Sequence, residues 1–478
     1  MNIYSNIQLK WRIKDMKITV IGGGPGGYEA AIYGAKKGAE VVLVEKAQIG
    51  GTCLNRGCIP TKAFLASYDT LETVEKAGDF GIKISGEMKV DYPAVLARKN
   101  KVMGSLVKGV QFLLKKNNVT VVEGFGSLVD KHTVKVKKAD GTEEIFSTDY
   151  VILATGSVPI TPPLFKYDGK RVITSDEILD FDQIPKSIII VGGGVIGCEI
   201  GQFLAAMGTQ VTIVEALPRL LASMDEDVNK HLQRQFKKDK IKVLCGDGIA
   251  EVNPFEDHVD VTLASGKNLS AEFVLAAIGR APFTKGSGIE QAGVKMAERG
   301  RVAVNEYLQT SVENIYAVGD IINTPFLAHV ASKEGCIAVD NIMGAQKAAV
   351  YHAVPGCVFT NPEIATAGKM EFQLKGEGKE AGRDYKTGTF EFKGLGKAQA
   401  SGHIAGFVKV IVDADDVLIG AEIVGARASD MLQILTTAIH MKLKAEEIAD
   451  SIFPHPTMCE AVMEALHDIH GMSVMKTP

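Results

Sequence analysis

Cys53 and Cys58 stand five positions apart in the run Gly51-Thr52-Cys53-Leu54-Asn55-Arg56-Gly57-Cys58-Ile59-Pro60-Thr61-Lys62. Two thiols at this range can hold a metal, staple the chain, or cycle between dithiol and disulfide. A metal reading has no second ligand pair nearby. A stapling framework is disfavoured too, because the chain has seven cysteines and Cys198, Cys245, Cys336, Cys357 and Cys459 are scattered along it. Those five read as small buried residues or inert thiols. Cycling requires the sulfurs to meet, yet positions five apart on a regular helix hold their Cα atoms about 8–9 Å apart, beyond bridging distance. The spacing therefore predicts a helix distorted between the cysteines, and Asn55 and Gly57 are residues that permit it. Near the other end lies a second candidate, His455-Pro456-Thr457. Imidazole titrates near neutrality, which suits a reversible proton shuttle. Taken alone, a His-Pro pair reads as an ordinary loop.

The elements around the cysteines give the pair a context. Ile18 to Ile21 is a β-branched run, followed by Gly22-Gly23-Gly24-Pro25-Gly26-Gly27, a helical pattern to Gly38, and Val41-Val42-Leu43-Val44 ending at Glu45. The same order recurs from Ile188 to Val191: Gly192-Gly193-Gly194-Val195-Ile196-Gly197, a helix to Gly208, and Val211-Thr212-Ile213-Val214 ending at Glu215. In both copies the acid follows the first glycine by 23 positions. A lone G-x-G-x-x-G is a weak signal, but strand, glycines, helix, strand and acid at matched spacing, twice, predict two dinucleotide-binding units. The glycines allow a tight turn and close approach of a pyrophosphate, and the helix N-terminus offers amide donors. The acid accepts from a ribose hydroxyl, so Glu45 would hold the adenosine ribose of the first ligand. Glu215 would repel a 2′-phosphate, which favours NAD over NADP.

Length and composition bound the rest. A chain of 478 residues is expected to form two to four domains. A net charge of −4 and a single Trp give neither a basic surface nor a stacking surface for nucleic acid. No run of 18 apolar residues predicts a membrane span. Residues 1–15 precede the first strand and read as an N-terminal extension, with Met16 as an alternative start; they have no apolar signal core. The cysteine usage fits a reducing, cytoplasmic location. Val121 to Val136 and Glu144 to Ile152 read as strands of a meander, and Pro159, Pro162 and Pro163 as a linker. Phe273 to Ile278 and Ile315 to Asp320 read as further strands. From about Tyr351 the pattern becomes α+β: strands Gly406 to Val412 and Leu418 to Val424, then helices near Met431 to Met441 and Cys459 to Ile469.

With Gly51 to Lys62, Ala154 to Ser157, Ala277-Ile278-Gly279-Arg280, Ile315 to Asp320, Leu327-Ala328-His329 and His455-Pro456-Thr457 with Glu460, the chain resembles the flavin-dependent disulfide oxidoreductases of the glutathione reductase group. The resemblance covers residues 16–470 in order, and within the group it is strongest to the members that oxidise dihydrolipoamide. It implies an α/β fold of two Rossmann-like domains, for FAD and NAD, plus a C-terminal α+β dimerisation domain. The implied division is 16–160 and 281–350 for FAD, 161–280 for NAD, and 351–478 for the interface of a homodimer. The implied partner is a lipoyl group on a 2-oxoacid dehydrogenase complex or a glycine cleavage H protein, with no nucleic acid, metal or membrane.

Site roles follow from the same resemblance. Cys53 would exchange with the substrate, and Cys58 would be the thiolate beside the flavin. His455 would be the base, its other ring nitrogen bonded to Glu460, with a cis peptide before Pro456. Lys62 would pair with Glu199. FAD would be held by Gly22, Gly24, Gly27, Glu45, Lys62, Gly126, Thr155, Gly156, Ser157, Asp320 and Ala328. NAD would be held by Gly192, Gly193, Gly194, Val195, Ile196, Gly197, Glu215 and Gly279. No cysteine follows Gly471, unlike in mercuric reductases, and the redox pair that soluble transhydrogenases lack is complete. Two residues depart from the lipoamide pattern: Arg56 stands where valine is common, and Phe453-Pro454 stands where His-Ala often precedes the base.

Overall fold

Lys17–Ile21 and Ser187–Val191 are short apolar runs in which every residue after the first is buried. Burial on both faces is what a central parallel strand requires. In the computed structural model, which describes residues 16–476, each lies at the centre of its own five-stranded sheet. The first sheet is ordered Ile315–Ala317, Tyr150–Leu153, Lys17–Ile21, Glu40–Glu45, Thr120–Glu123, all parallel. The second is ordered Val172–Ile173, Phe273–Ala276, Ser187–Val191, Gln210–Glu215, Lys242–Cys245, also all parallel. Ile18 pairs with Val41 and Ile188 with Val211, so the two central registers coincide. The expected extension, residues 1–15, lies outside the described residues.

The repeat is longer than the sequence suggests. Counted from its glycine-turn strand, each unit inserts a three-stranded antiparallel meander between its third and fourth strands. In the first unit this is Phe125–Asp130, Thr133–Lys137 and Glu143–Ser147; in the second it is Ile249–Pro254, Val259–Leu263 and Asn268–Ala271. This corrects the assignment of Val121 to Val136 and Glu144 to Ile152 wholly to a meander, because Thr120–Glu123 and Tyr150–Leu153 are parallel strands of the first sheet. Gly124 explains the error. At φ +151° it turns the chain from one sheet into the other without a loop, and a Cβ there would lie 2.6 Å from Val136.

The units differ between their second and third strands. The second unit places one helix there, Glu226–Lys238, whereas the first places Gly51–Arg56, Cys58–Glu75 and Tyr92–Lys116. The last of these was not read from the sequence, although Asp91 caps it by accepting from the Ala94 amide at 3.1 Å and Pro93 sits in its first turn. The Pro159 linker pairs antiparallel with the return connection Arg280–Pro282, so the chain enters and leaves the second unit side by side.

The C-terminal part is an antiparallel sheet ordered Pro355–Val358, Glu363–Gly368, Leu418–Gly425, Phe407–Asp413, Tyr385–Glu391. The helices Ala428–Met441 and Glu460–Asp468 bury Leu432, Leu435, Val462 and Leu466 in its core. The fold is α/β, with two Rossmann-like units and an α+β unit.

Candidate functional site

The two glycine turns are near-copies in three dimensions. Gly22 and Gly192 both have φ +111°, and a Cβ would fall 2.2 Å from the Ala154 carbonyl oxygen and 2.4 Å from that of Ala277. No side chain fits there, so the turn can be made by glycine alone. A Cβ on Gly27 would lie 1.8 Å from Gly22 O, and one on Gly197 2.0 Å from Gly192 O. These third glycines let the helices Pro25–Lys37 and Val195–Ala206 close onto their turns. Each acid is locked by its own loop. Glu45 accepts from the amides of Gly23 at 2.6 Å and Ala47 at 2.7 Å, and Glu215 from those of Gly193 at 2.6 Å and Leu217 at 2.8 Å. A carboxylate has about four acceptor sites, so both acids keep capacity for a ribose diol.

Both turns open into one cavity of about 1280 Å³ that Cys53, Cys58 and Glu199 also line. The expected FAD residues Gly22, Gly24, Glu45, Lys62, Gly126, Thr155, Gly156, Ser157, Asp320 and Ala328 lie on its wall. So do the expected NAD residues Gly192, Gly194, Val195, Ile196, Glu215 and Gly279. Gly27, Gly193 and Gly197 do not: two are packing glycines, and Gly193 turns its amide to Glu215.

The helix expected to be distorted is in fact two helices, Gly51–Arg56 and Cys58–Glu75, meeting at Gly57. Asn55 is buried, and its amide donates to the carbonyls of Ile49 at 3.1 Å and Gly51 at 2.9 Å, which fixes the first helix to the turn before it. Both cysteines are thiols here. A hydrogen bond from Cys53 draws the Cys58 thiol down to about 7; burial opposes the shift and the Lys62 ammonium assists it. The same hydrogen bond, with burial, holds the proton on Cys53 and pushes that thiol far above its ordinary range. Lys62 Nζ meets both oxygens of Glu199, at 2.9 and 2.7 Å, and Glu199 also accepts from the Phe359 amide at 2.8 Å. One residue from each of the three units thus meets beside the thiols.

A polar chain continues from there. Arg280 donates to Ser157 Oγ at 2.8 Å, Ser157 donates to Asp320 at 2.5 Å, and Arg280 reaches Thr52 Oγ1 at 3.4 Å. Burial pushes the Asp320 carboxyl up, while Ser157 and Arg280 hold it down. Arg56 stands 3.7 Å from Asp176 across the cleft. Sequence reasoning gave no role to Lys46, which lies 3.4 Å over the Phe283 ring, or to Ser287. Ser287 is fully buried in the cavity wall, and its hydroxyl has no partner among the described residues. Nothing in their local sequence marks either residue.

His455 and Glu460 lie elsewhere. Glu460 Oε1 is 2.8 Å from His455 Nδ1, and the Thr457 amide donates to Glu460 Oε2 at 2.8 Å. Burial works against the Glu460 anion, but His455 and that amide hold its carboxyl below the usual range. With Nδ1–H turned to Glu460, Nε2 is left free to take up a proton. The peptide between His455 and Pro456 is cis. The imidazole is 72% exposed and does not line the cavity. Within one chain, the thiols and the imidazole do not meet.

Residues 16–335 match the family model of the pyridine nucleotide-disulphide oxidoreductases, and 354–466 match that family's dimerisation domain. The chain is 38% identical over 467 residues to dihydrolipoyl dehydrogenase of Cupriavidus necator, covering 95% of this chain and 97% of the relative. It is 40% identical over 450 residues to dihydrolipoyl dehydrogenase of Geobacillus stearothermophilus, covering 93% and 94%. Among solved structures it resembles LpdA of Mycobacterium tuberculosis, with a TM-score of 0.88, 27% identity, and coverage of 95% of this chain and 99% of that one. It also resembles the flavoprotein disulfide reductase RclA of Escherichia coli, with a TM-score of 0.84, 25% identity, and coverage of 95% and 99%.

Proposed function

Because the chain belongs to the pyridine nucleotide-disulphide oxidoreductases, we propose that it is the dihydrolipoyl dehydrogenase of a lipoyl-bearing complex, acting through Cys53 and Cys58. It is an oxidoreductase that uses FAD and NAD. The donor set suits two dinucleotides. Gly194 faces open space, Gly24 has its nearest neighbour at 3.9 Å, and each precedes a helix N-terminus beside an acid already locked in place. We assign the first turn, with Glu45, to FAD and the second, with Glu215, to NAD. The division into residues 16–160 with 281–350, 161–280 and 351–478 follows that assignment.

The observation that carries this reading is the lowered Cys58 thiol in a cavity shared by both turns. In the oxidised enzyme a substrate thiolate attacks the Cys53 sulfur, and the Cys53–Cys58 bond breaks. Cys58 is the better leaving group, since the Lys62 ammonium favours its thiolate. The second substrate thiol then attacks the mixed disulfide, which frees cyclic lipoamide and leaves Cys53 and Cys58 as a dithiol. His455 takes the substrate protons at Nε2, with Glu460 fixing the ring. Bound FAD supplies the two-electron relay between the dithiol and NAD.

The matched dimerisation segment supports a homodimer. We place His455 of one subunit over the cysteines of the other, and the lipoyl group on a 2-oxoacid dehydrogenase complex or a glycine cleavage H protein. Among the described residues no helix is long and apolar enough to cross a membrane. The cysteine usage favours the cytoplasm.

Steady-state assays with lipoamide, glutathione disulfide and coenzyme A disulfide test this reading. Lipoamide is expected to lead; preference for either other disulfide would make the protein a different reductase of the family. Coenzyme choice is a separate expectation. Glu215 should favour NAD over NADP by at least about tenfold in kcat/KM, roughly 1.4 kcal/mol. Equal use of both would refute the ribose role.

A further inference from the structure

Strand Phe407–Asp413 reads Phe-Val-Lys-Val-Ile-Val-Asp, and its lysine, Lys409, is 2% exposed. Lys409 pairs in register with Glu422 on strand Leu418–Gly425, and Glu422 is fully buried. Directly opposed residues project from the same face of a sheet, and this face meets the second Rossmann unit at Asp225. Lys409 Nζ lies 2.6 Å from Asp225, 3.1 Å from Glu422, 3.2 Å from Asp227 and 3.6 Å from Glu371. Asp225 also accepts from the amides of Glu371 at 3.1 Å and Phe372 at 2.8 Å, and its own amide donates to Glu422 Oε1 at 3.2 Å. The outer groups are Lys375, 2.9 Å from Glu371; the Tyr385 hydroxyl, 3.1 Å from Glu371; Arg219, 5.5 Å over Phe372; and His231, 5.2 Å from the Phe407 ring.

One inner lysine thus faces four carboxylates, which full ionisation would leave with excess buried negative charge. Glu422 Oε2 has no hydrogen-bond partner among the described residues, although it is within 3.1 Å of Lys409 Nζ. Asp225 and Glu422 share Lys409 Nζ, and the Asp225 amide reaches Glu422 Oε1, so a single proton between the two carboxyls relieves their repulsion. Burial pushes the Glu422 carboxyl up to about 7; Lys409 pulls against that and Asp225 adds to it.

Asp225 ends the segment that starts at Glu215. Along it, the Leu217 amide donates to Glu215 at 2.8 Å and the Leu221 amide to the Gly193 carbonyl at 2.9 Å. The Leu220 side chain packs on Gly193, where a Cβ would lie 2.4 Å from it. One end of the segment therefore holds the second glycine turn and its acid, and the other end is held by the cluster.

We propose that a proton shared by Glu422 and Asp225 fastens this segment to the C-terminal sheet and keeps the second glycine turn in its NAD-binding shape, so that NAD binds more weakly once the proton is lost. This rests on the assignment of that turn to NAD. The sign follows from the raised Glu422 carboxyl. The proton is present below about pH 7 and leaves above it, so affinity is highest on the acid side. By reciprocity, NAD retains the proton.

Calorimetric titration of NAD⁺ into the oxidised holoenzyme from pH 5.5 to 9 tests this. The Kd is expected to rise about fivefold or more, with its midpoint near 7. Glu422→Gln keeps a donor toward Asp225 but cannot titrate, so its profile should stay flat and tight. Asp227→Asn removes a half-exposed carboxylate that competes with Glu422 for Lys409, so Lys409 favours the Glu422 anion more and the midpoint should move to lower pH. A flat wild-type profile, a wild-type profile in Glu422→Gln, or an unmoved midpoint in Asp227→Asn overturns the proposal. If Glu422→Gln fails to fold, the direction of the Asp227→Asn shift decides. NAD⁺ binding without pH dependence overturns this inference alone, whereas no binding at any pH overturns the loop assignment beneath it.

Discussion

Cys53→Ser and Cys58→Ser should each lower kcat/KM for dihydrolipoamide by about 10³-fold or more, because neither variant can form the disulfide that accepts the substrate electrons. Loss of activity alone does not separate the two thiols; their acidity does. In Cys53→Ser the remaining Cys58 keeps Lys62 but receives its hydrogen bond from a hydroxyl. Its thiolate should appear with a midpoint between about 7 and the ordinary thiol range near 8.5. In Cys58→Ser the remaining Cys53 is half-buried and its desolvation raises it, so its midpoint should lie above the ordinary range. Iodoacetamide labelling of the reduced variants, read site by site by mass spectrometry across pH 5 to 10, measures both. If Cys53 proves the more acidic, Cys58 is not the leaving group and the assigned direction of attack is reversed.

The second large effect concerns the base. His455→Gln should cost about 10²–10⁴-fold in turnover, as expected for loss of a general base. The more demanding expectation is complementation. Each subunit holds its thiols in the cavity and its imidazole outside it, on a surface where Ile452 is 99% exposed. A two-fold interface is reciprocal, so it would bring the imidazole of each subunit to the thiols of the other. A Cys58→Ser homodimer and a His455→Gln homodimer should both be nearly inactive. A mixed dimer would pair the intact thiols of one chain with the intact imidazole of the other. Random reassortment of equal amounts makes about half the dimers mixed, each with one good site, so about a quarter of wild-type activity should return. Coexpression with two tags, double purification and a lipoamide assay measure it. Verified mixed dimers without recovery would mean that His455 serves its own subunit or is not the base.

The elements that could be read without a structure share one physical property: their geometry is set by neighbours in the chain. Each dinucleotide signature is a strand, a turn that only glycine can make, a helix and an acid within about two dozen residues, and both copies fold to the same φ at Gly22 and Gly192. The break between Cys53 and Cys58 follows from helix pitch and disulfide reach alone, and it falls at Gly57. His455 and Glu460 are also local, five positions apart and in hydrogen-bond contact at 2.8 Å. Local periodicity failed where a single glycine changed the sheet. Gly124 joins a parallel strand to a meander inside one apolar run, and a period-two pattern is the same in both.

The sequence by itself determined the two nucleotide-binding turns, their acids, the broken helix with its thiols, and the His–Glu pair, because each is a short-range steric or hydrogen-bonding unit. Only the tertiary structure decided what surrounds the thiols, because the Lys62–Glu199 pair and the Phe359 amide that holds it arrive from three separate units. It alone buried Lys409 against carboxylates nearly two hundred positions earlier in the chain, where a strand of valines and isoleucines gives no sign of what faces its lysine. It also set His455 apart from the cysteines, since burial and long-range pairing depend on how the units pack, and no local pattern records that.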